Sequence, residues 1–225
     1  MIKAITFDLD MTLIDFMRLK KLGSYAAARA MVKAGLKMPL RKCQKDLFQH
    51  YLTDIEGSKV FENFLKSRNH YSERILAAGI NAYLKTKQYH LKPYPKVKET
   101  MAKLKRKGIK LAIVTDAPRL KAYMRLDAMG IADLFDIVVG HEDTGRQKPS
   151  KMPFRKALKL LKLNPEEVMH VGDWPERDIK GAKSLGIKTC LANYGYVTHK
   201  MGKYVKPDFK IEKFEELLRI VKNEC

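Results

Sequence analysis

The 225-residue sequence has one tryptophan, three cysteines and a shortage of acid: 25 Asp and Glu against 45 Lys and Arg, a formal net charge of +20. Each scarcity excludes something. Cys43, Cys190 and Cys225 are odd in number, far apart and in no Cys-x-x-Cys pair. That argues against a disulfide framework or a zinc site and for a reducing, cytoplasmic setting, with two core thiols and one at the chain end. Long apolar runs are also missing. No stretch approaches the ~18 apolar residues of a membrane helix. The apolar residues 2–7 are too few for a secretion signal and run into Asp8, so neither a span nor a signal is expected. The excess of positive charge favours anionic partners, whether phosphorylated metabolites, nucleic acid or a membrane surface. A lysine-rich solvated surface accounts for it equally well.

What is present is an ordinary globular balance, 45% hydrophobic and 31% charged, with ample material for a core. Residues 2–7 read as a buried strand. From residue 110 a rhythm of strand, loop and helix repeats, with strands expected over 110–114, 136–139, 168–171 and 187–191. Helices are expected over 118–129, from Ser150, and over 175–185, with Gly130 and Gly186 as the stops of the first and last. This alternation predicts an α/β fold, a Rossmann-like parallel sheet covered by helices on both faces. Residues 16–91 have another texture. No strand pattern appears, and amphipathic helices are expected over about 17–34, 40–52, 58–66 and 72–85. This third of the chain holds 15 Lys and Arg against five Asp and Glu, half of the whole excess charge. It reads as a separate all-helical module inserted into a sheet domain made of residues 1–15 and 92–225.

Four short signals fall where strands end, which is where open parallel sheets bind ligands. Asp8-Leu9-Asp10-Met11-Thr12 follows the first strand, and two carboxylates at this spacing can point into one crevice, a weak signal by itself. Thr115-Asp116 follows the second; alone it reads equally as a cap for the next helix. Lys148-Pro149 precedes the helix opening at Ser150, and a lone lysine in so basic a chain is ordinarily a surface residue. Gly172-Asp173-Trp174-Pro175-Glu176-Arg177-Asp178 follows the fourth strand, where Asp173 would serve as a helix cap.

Order and spacing give these signals a joint meaning. The sequence resembles the haloacid dehalogenase (HAD) superfamily, whose signature is DxDx[TV] after the first strand, Thr or Ser after the second, a Lys, then GDxxxD or GDxxxxD. Asp8, Asp10, Thr12, Thr115, Lys148, Asp173 and Asp178 stand at these positions in that order. Residues 1–15 and about 93–195 carry the resemblance, and the helical insert fits, by place and type, the cap that such members carry. Two departures stand out: Met11 where many relatives have Gly, and Trp174-Pro175 after the Asp of the last motif.

The resemblance implies a Mg2+-dependent phosphatase with five or more strands in the order 5-4-1-2-3, acting on a small phosphorylated metabolite. For members similar to small archaeal phosphatases, that substrate is a triose or sugar phosphate such as glyceraldehyde 3-phosphate. Implied roles are Asp8 as nucleophile, Asp10 as general acid and base, and Thr115, Asp116 and Lys148 at the phosphate. Asp8, Asp173 and the Asp10 main chain would bind the metal, with Thr12 and Asp178 in support. Asp10 argues for phosphoryl chemistry, because dehalogenases, whose halide needs no proton on leaving, do without it. Phosphomutase and phosphonatase activities stay open, as does a basic nucleic-acid-binding module on a HAD core. The insert's Tyr25, Phe48, Tyr51, Phe61 and Tyr71 motivate that last reading, yet their helical spacing suits a core and no nucleic-acid-binding motif accompanies them. His170 reads as a core histidine, Trp174 as a pocket wall or wedge, and Arg18, Lys20 and Lys21 as a solvated helix face.

Overall fold

The apolar runs that end at acidic or Thr-containing loops become the strands of one parallel sheet in the computed structural model, which describes residues 1–53, 57, 59–195 and 205–224. Ser58 and Cys225 lie outside the described residues. The strands are β1 (Ala4–Phe7), β2 (Lys110–Val114), β3 (Ile137–Val139), β4 (Val168–Gly172), β5 (Lys188–Ala192) and β6 (Phe209–Ile211), in the order β3-β2-β1-β4-β5-β6. All five pairings are parallel. β1 and β4 are buried at every residue, which explains their near-continuous apolar character. β6, a three-residue edge strand, was not anticipated from the sequence, being too short to show a period.

The chain divides into two compact units, residues 1–15 with 92–225 and residues 16–91. In the first, helices α5 (Val97–Arg106), α6 (Arg119–Ala128), α7 (Lys151–Leu161), α8 (Lys180–Lys183) and α9 (Leu217–Glu224) accompany the sheet. α5 and α9 are additions to the sequence reading. Ala4, Val114 and Val168 share a buried cluster with Phe154 and Ala157 of α7 and Ala182 of α8. Phe7, pointing the other way along β1, meets Phe214 at 5.8 Å between ring centroids. The helix boundaries follow local chemistry. Ser150 accepts a hydrogen bond from the Met152 N–H at the start of α7, and Gly130 and Gly186 take the left-handed φ values of +63° and +82° that stop helices. The helix expected over 175–185 departs from regularity: residues Pro175–Ile179 form a wider π-helical turn before α8 begins, a distortion that tends to mark functional sites.

Among the described residues the second unit has four helices, α1 (Phe16–Lys33), α2 (Leu40–Thr53), α3 (Val60–Lys66) and α4 (Glu73–His90). Their apolar stripes enclose Met31, Leu47, Tyr51, Phe61, Phe64 and Tyr83. Tyr51 and Phe61 are thus core, and Tyr25 packs edge-on against Phe48, while Tyr71 is 45% exposed. Lys20, expected on a solvated face, is instead only 3% exposed. Its ammonium donates to Tyr51 Oη at 2.7 Å and Tyr83 Oη at 3.2 Å and lies 4.6 Å from the Phe16 ring centroid. Phenolic oxygens and ring faces replace its water shell. Among the described residues, no helix is long and apolar enough to cross a membrane.

α1 and α4 pack through paired small-to-large contacts. A Cβ on Gly23 would lie 2.6 Å from the Tyr83 ring, and one on Gly79 would lie 2.2 Å from the Met31 side chain. A mid-helix glycine ordinarily costs about 1 kcal/mol relative to alanine, so the close approach has to offset that. Gly23→Ala is expected to destabilise the protein by about 1–3 kcal/mol despite its better helix propensity, because a stiff ring must move. Chemical denaturation read by circular dichroism checks this, and a stabilised variant would refute it.

Candidate active site

The order of the sheet places β1 between β2 and β4, so the chain turns to opposite sides at the carboxyl ends of β1 and β4. Phe7 is in register with Ile113 of β2 and Val171 of β4. The next residues along, Asp8, Val114 and Gly172, therefore share one level, with Thr115 and Asp173 one step beyond. A topological switch point of this kind opens a crevice.

Lys148 enters this crevice from the segment before α7, and its side chain is 3% exposed. Its ammonium donates to Asp8 Oδ1 and to the Val114 carbonyl at 3.1 Å, and it pairs with Asp178 Oδ1 at 2.6 Å. Three acceptors account for its three protons. Burial alone would lower Lys148, but Asp178, Asp8 and Asp116 outweigh it and keep the ammonium charged. Asp178 is 2% exposed; burial would raise it, yet Lys148 and His170 hold it well below the usual carboxylate range. Its second oxygen accepts from the Trp174 N–H at 3.0 Å, closing the π-helical turn. Gly172 makes room for this arrangement, since a Cβ there would lie 2.4 Å from Asp178 Cγ.

Asp173 is buried and accepts from Thr12 Oγ1 at 3.2 Å. One carboxylate oxygen from each of Asp8, Asp173 and Asp178 can be chosen so that all three lie within 4.8 Å of one another. Their crowding is visible in their protonation. Burial pushes Asp8 up to about 7 against the pull of Lys148, with repulsion from Asp178 and Asp10 adding to it. Burial, then Asp178 and Asp8, push Asp173 well above its ordinary value. When all three are ionised, these carboxylates outnumber the one ammonium, and a hard divalent cation with oxygen ligands would fit that state.

The alternative capping roles find no support in the geometry. The first N–H of α6, at Arg119, donates to the Glu142 carboxylate at 2.9 Å and 3.0 Å, so neither Thr115 nor Asp116 caps that helix. Thr115 is buried, its Oγ1 accepting from the Ala117 N–H at 3.2 Å. Asp116, grouped by resemblance with the phosphate-binding residues, has its carboxylate engaged elsewhere: Oδ1 accepts from the Lys148 N–H at 2.8 Å and Oδ2 pairs with Arg177 at 2.9 Å. Arg177 lies 4.9 Å from the Trp174 ring centroid, which makes Trp174 part of this bracket. His170 is fully buried within β4, 2.9 Å from Thr6 Oγ1 and edge-on to Phe154, and burial lowers it. It is a core histidine beneath the site.

The Asp10 loop is tight. Met11 donates to the Ile14 carbonyl at 2.8 Å and adopts φ +66°, the left-handed conformation that glycine takes without strain. Tyr194 Oη donates to the Thr12 carbonyl at 2.8 Å. Gly195 lies so close to Met11 that a Cβ would fall 1.7 Å from the Met11 oxygen. Asp10 Oδ2 accepts from Arg125 Nη1 at 2.6 Å. Arg125 and Tyr194 were missed by the sequence reading. For Arg125 a signal existed: it stands on the stripe Ala122, Arg125, Leu126 and Met129, a cation at a core-facing helical position.

The chain matches the haloacid dehalogenase-like hydrolase family over residues 5–192. A glyceraldehyde 3-phosphate phosphatase of Methanocaldococcus jannaschii is 34% identical to it, the alignment spanning 99% of this chain and 98% of that one. A phosphoglycolate phosphatase of Aquifex aeolicus is 32% identical, spanning 98% of this chain and 97% of its own. Among solved structures, a HAD phosphatase from Thermococcus onnurineus superposes with a TM-score of 0.70 over 98% of each chain at 24% identity, a likeness of fold. With the parallel sheet, the acidic cluster at its strand ends and a family match covering most of its length, the chain belongs to the haloacid dehalogenase-like hydrolases.

Proposed function

We propose that this protein is a phosphatase that hydrolyses a small phosphorylated metabolite through an aspartyl-phosphate on Asp8. The observation that carries this reading is the Lys148 ammonium, held between Asp8 and Asp178 at the strand ends beside the buried Asp173. Phosphate esters resist attack because their oxygens repel an incoming anion, so a catalyst must position charge and neutralise it. A carboxylate oxygen of Asp8 attacks phosphorus and the P–O ester bond breaks. The departing alcohol oxygen takes a proton from Asp10. Water then attacks the phosphoryl group, giving a proton back to Asp10; the P–O bond to Asp8 breaks and phosphate leaves. Lys148 and Thr115 are assigned to the phosphoryl oxygens. Asp116 and Asp178 are assigned to holding Lys148, through its N–H and its ammonium respectively.

Asp8, Asp173 and the main-chain carbonyl of Asp10 are the proposed ligands of Mg2+. When bound, the cation supplies positive charge opposite the phosphoryl oxygens. Thr12 orients Asp173 for this role. Residues 16–91 are proposed to be the family's cap domain. For the substrate we favour a triose phosphate such as glyceraldehyde 3-phosphate, the compound in the name of the Methanocaldococcus jannaschii relative.

Hydrolysis of p-nitrophenyl phosphate tests the reading. Turnover is expected with Mg2+ and abolished by EDTA. Asp8→Asn should lower it by at least about a thousand-fold while circular dichroism stays unchanged, because the nucleophile acts as a unit with its partners. Turnover that survives in Asp8→Asn would overturn the mechanism.

The raised Asp8 and Asp173 carboxyls make a second test. The folded metal-free protein holds these protons more tightly than the unfolded chain does. Their contribution to stability therefore falls as pH rises from the usual carboxylate range toward about 7. Mg2+ binds the ionised forms, so it should raise the thermal midpoint more near pH 7.5 than near pH 5. Differential scanning fluorimetry at both pH values checks this, an equal rise at each being the contrary result.

A further inference from the structure

One buried ion pair has no part in the roles assigned so far. α6 turns Ala122, Arg125 and Leu126 toward the core, and Met129 just past its end continues the stripe. At Arg125 that stripe carries a guanidinium whose side chain is only 3% exposed. A buried cation without a counter-charge is expensive. Arg125 meets this by donating from Nη1 to Asp10 Oδ2 at 2.6 Å, across 115 residues of sequence. The Asp10 side chain is 23% exposed, less deeply buried than its partner, although its Oδ1 is itself buried. The backbone under Asp10 is also fixed: Asp10 forms an isolated bridge to Ile14, and Met11 closes the loop through its hydrogen bond to the Ile14 carbonyl. The loop sets where the Asp10 side chain starts, and the side-chain torsions remain the freedom to be restricted. A guanidinium fork, planar and itself packed in a helix stripe, restricts them better than a flexible ammonium.

We propose that Arg125 is the positioning residue for Asp10: by holding Oδ2 it fixes the orientation of the carboxyl group that exchanges a proton with the departing alcohol and the attacking water. The inference rests on the phosphatase reading above and adds to it a residue outside the family signature quoted for this chain. In the step concerned, Asp8 forms its bond to phosphorus, the ester P–O bond breaks, and the alcohol oxygen takes the Asp10 proton. Only the last of these events depends on where Asp10 points. Arg125 therefore governs leaving groups that need a proton and leaves those that depart as stable anions almost untouched.

The test is a leaving-group series on the full chain with Mg2+: kcat/KM for p-nitrophenyl phosphate, phenyl phosphate and a primary alkyl phosphate. This parameter reads the steps through release of the alcohol. Arg125→Met is expected to lose about 100-fold on the alkyl ester and less than about 3-fold on the p-nitrophenyl ester, in line with what general acid catalysis contributes. Asp10→Asn should show the same pattern. The double variant should be no worse than Asp10→Asn alone, because both changes disable one unit. Arg125→Lys, which keeps the charge at the stripe and guards against a folding failure of Arg125→Met, should give an intermediate dependence on leaving group. An equal loss on all three esters in either Arg125 variant would mark the residue as structural, and no loss on the alkyl ester would remove it from catalysis. Either result overturns the inference while wild-type turnover that vanishes in Asp8→Asn leaves the phosphatase reading standing. Wild-type protein silent on all three esters would overturn both.

Discussion

The Lys148 ammonium is the contact on which the rest of the site depends. It joins the end of β1 through Asp8, the end of β2 through the Val114 carbonyl and the loop after β4 through Asp178. Buried charges of one sign repel, and the cluster Asp8, Asp173 and Asp178 would be hard to assemble without it. Its own position is set from outside the crevice, where the Lys148 N–H donates to Asp116, which Arg177 holds in turn. Charge and backbone are thus locked by the same residues.

Around this centre the loops are braced by contacts between segments remote in sequence. Thr12 reaches Asp173, Tyr194 reaches the Thr12 carbonyl, and Gly195 lies against the Met11 backbone. The left-handed Met11 shows how such bracing works. A side chain is tolerated at φ +66° because the hydrogen bond to Ile14 and the neighbouring loop hold the backbone there. The π-helical turn over Pro175–Ile179 belongs to the same economy of space, since it brings Asp178 back onto the Trp174 N–H and the Lys148 ammonium at once.

The helical unit carries half of the excess charge on a third of the residues and has its own core of Met31, Leu47, Tyr51, Phe64 and Tyr83. Lys20 sits at the edge of that core, its charge met by two phenolic oxygens and three aromatic rings. The helix pair α1 and α4 uses glycine where α2 and α3 use side chains, and so the two longest helices of the unit approach closely through Gly23 and Gly79.

The sequence by itself determined the alternation of strands and helices and the order of Asp8, Asp10, Thr12, Thr115, Lys148, Asp173 and Asp178 along the chain. These are legible because hydrophobic period, capping residues and motif spacing are local properties. Parallel strands in register then carry the residues that follow each strand to a common edge, with Thr115 and Asp173 one step beyond the level of Asp8. The tertiary structure alone decided which charges are buried and what meets them. Arg125 on Asp10 and Lys20 on Tyr51 and Tyr83 are contacts of buried cations with partners far apart in sequence. A stripe position can mark a cation such as Arg125 as inward-facing, but the sequence does not name the group it meets there. The cost of burying the cation is met only when the folded chain brings a counter-charge or polar partners to it, so burial of charge is a property of the assembled fold.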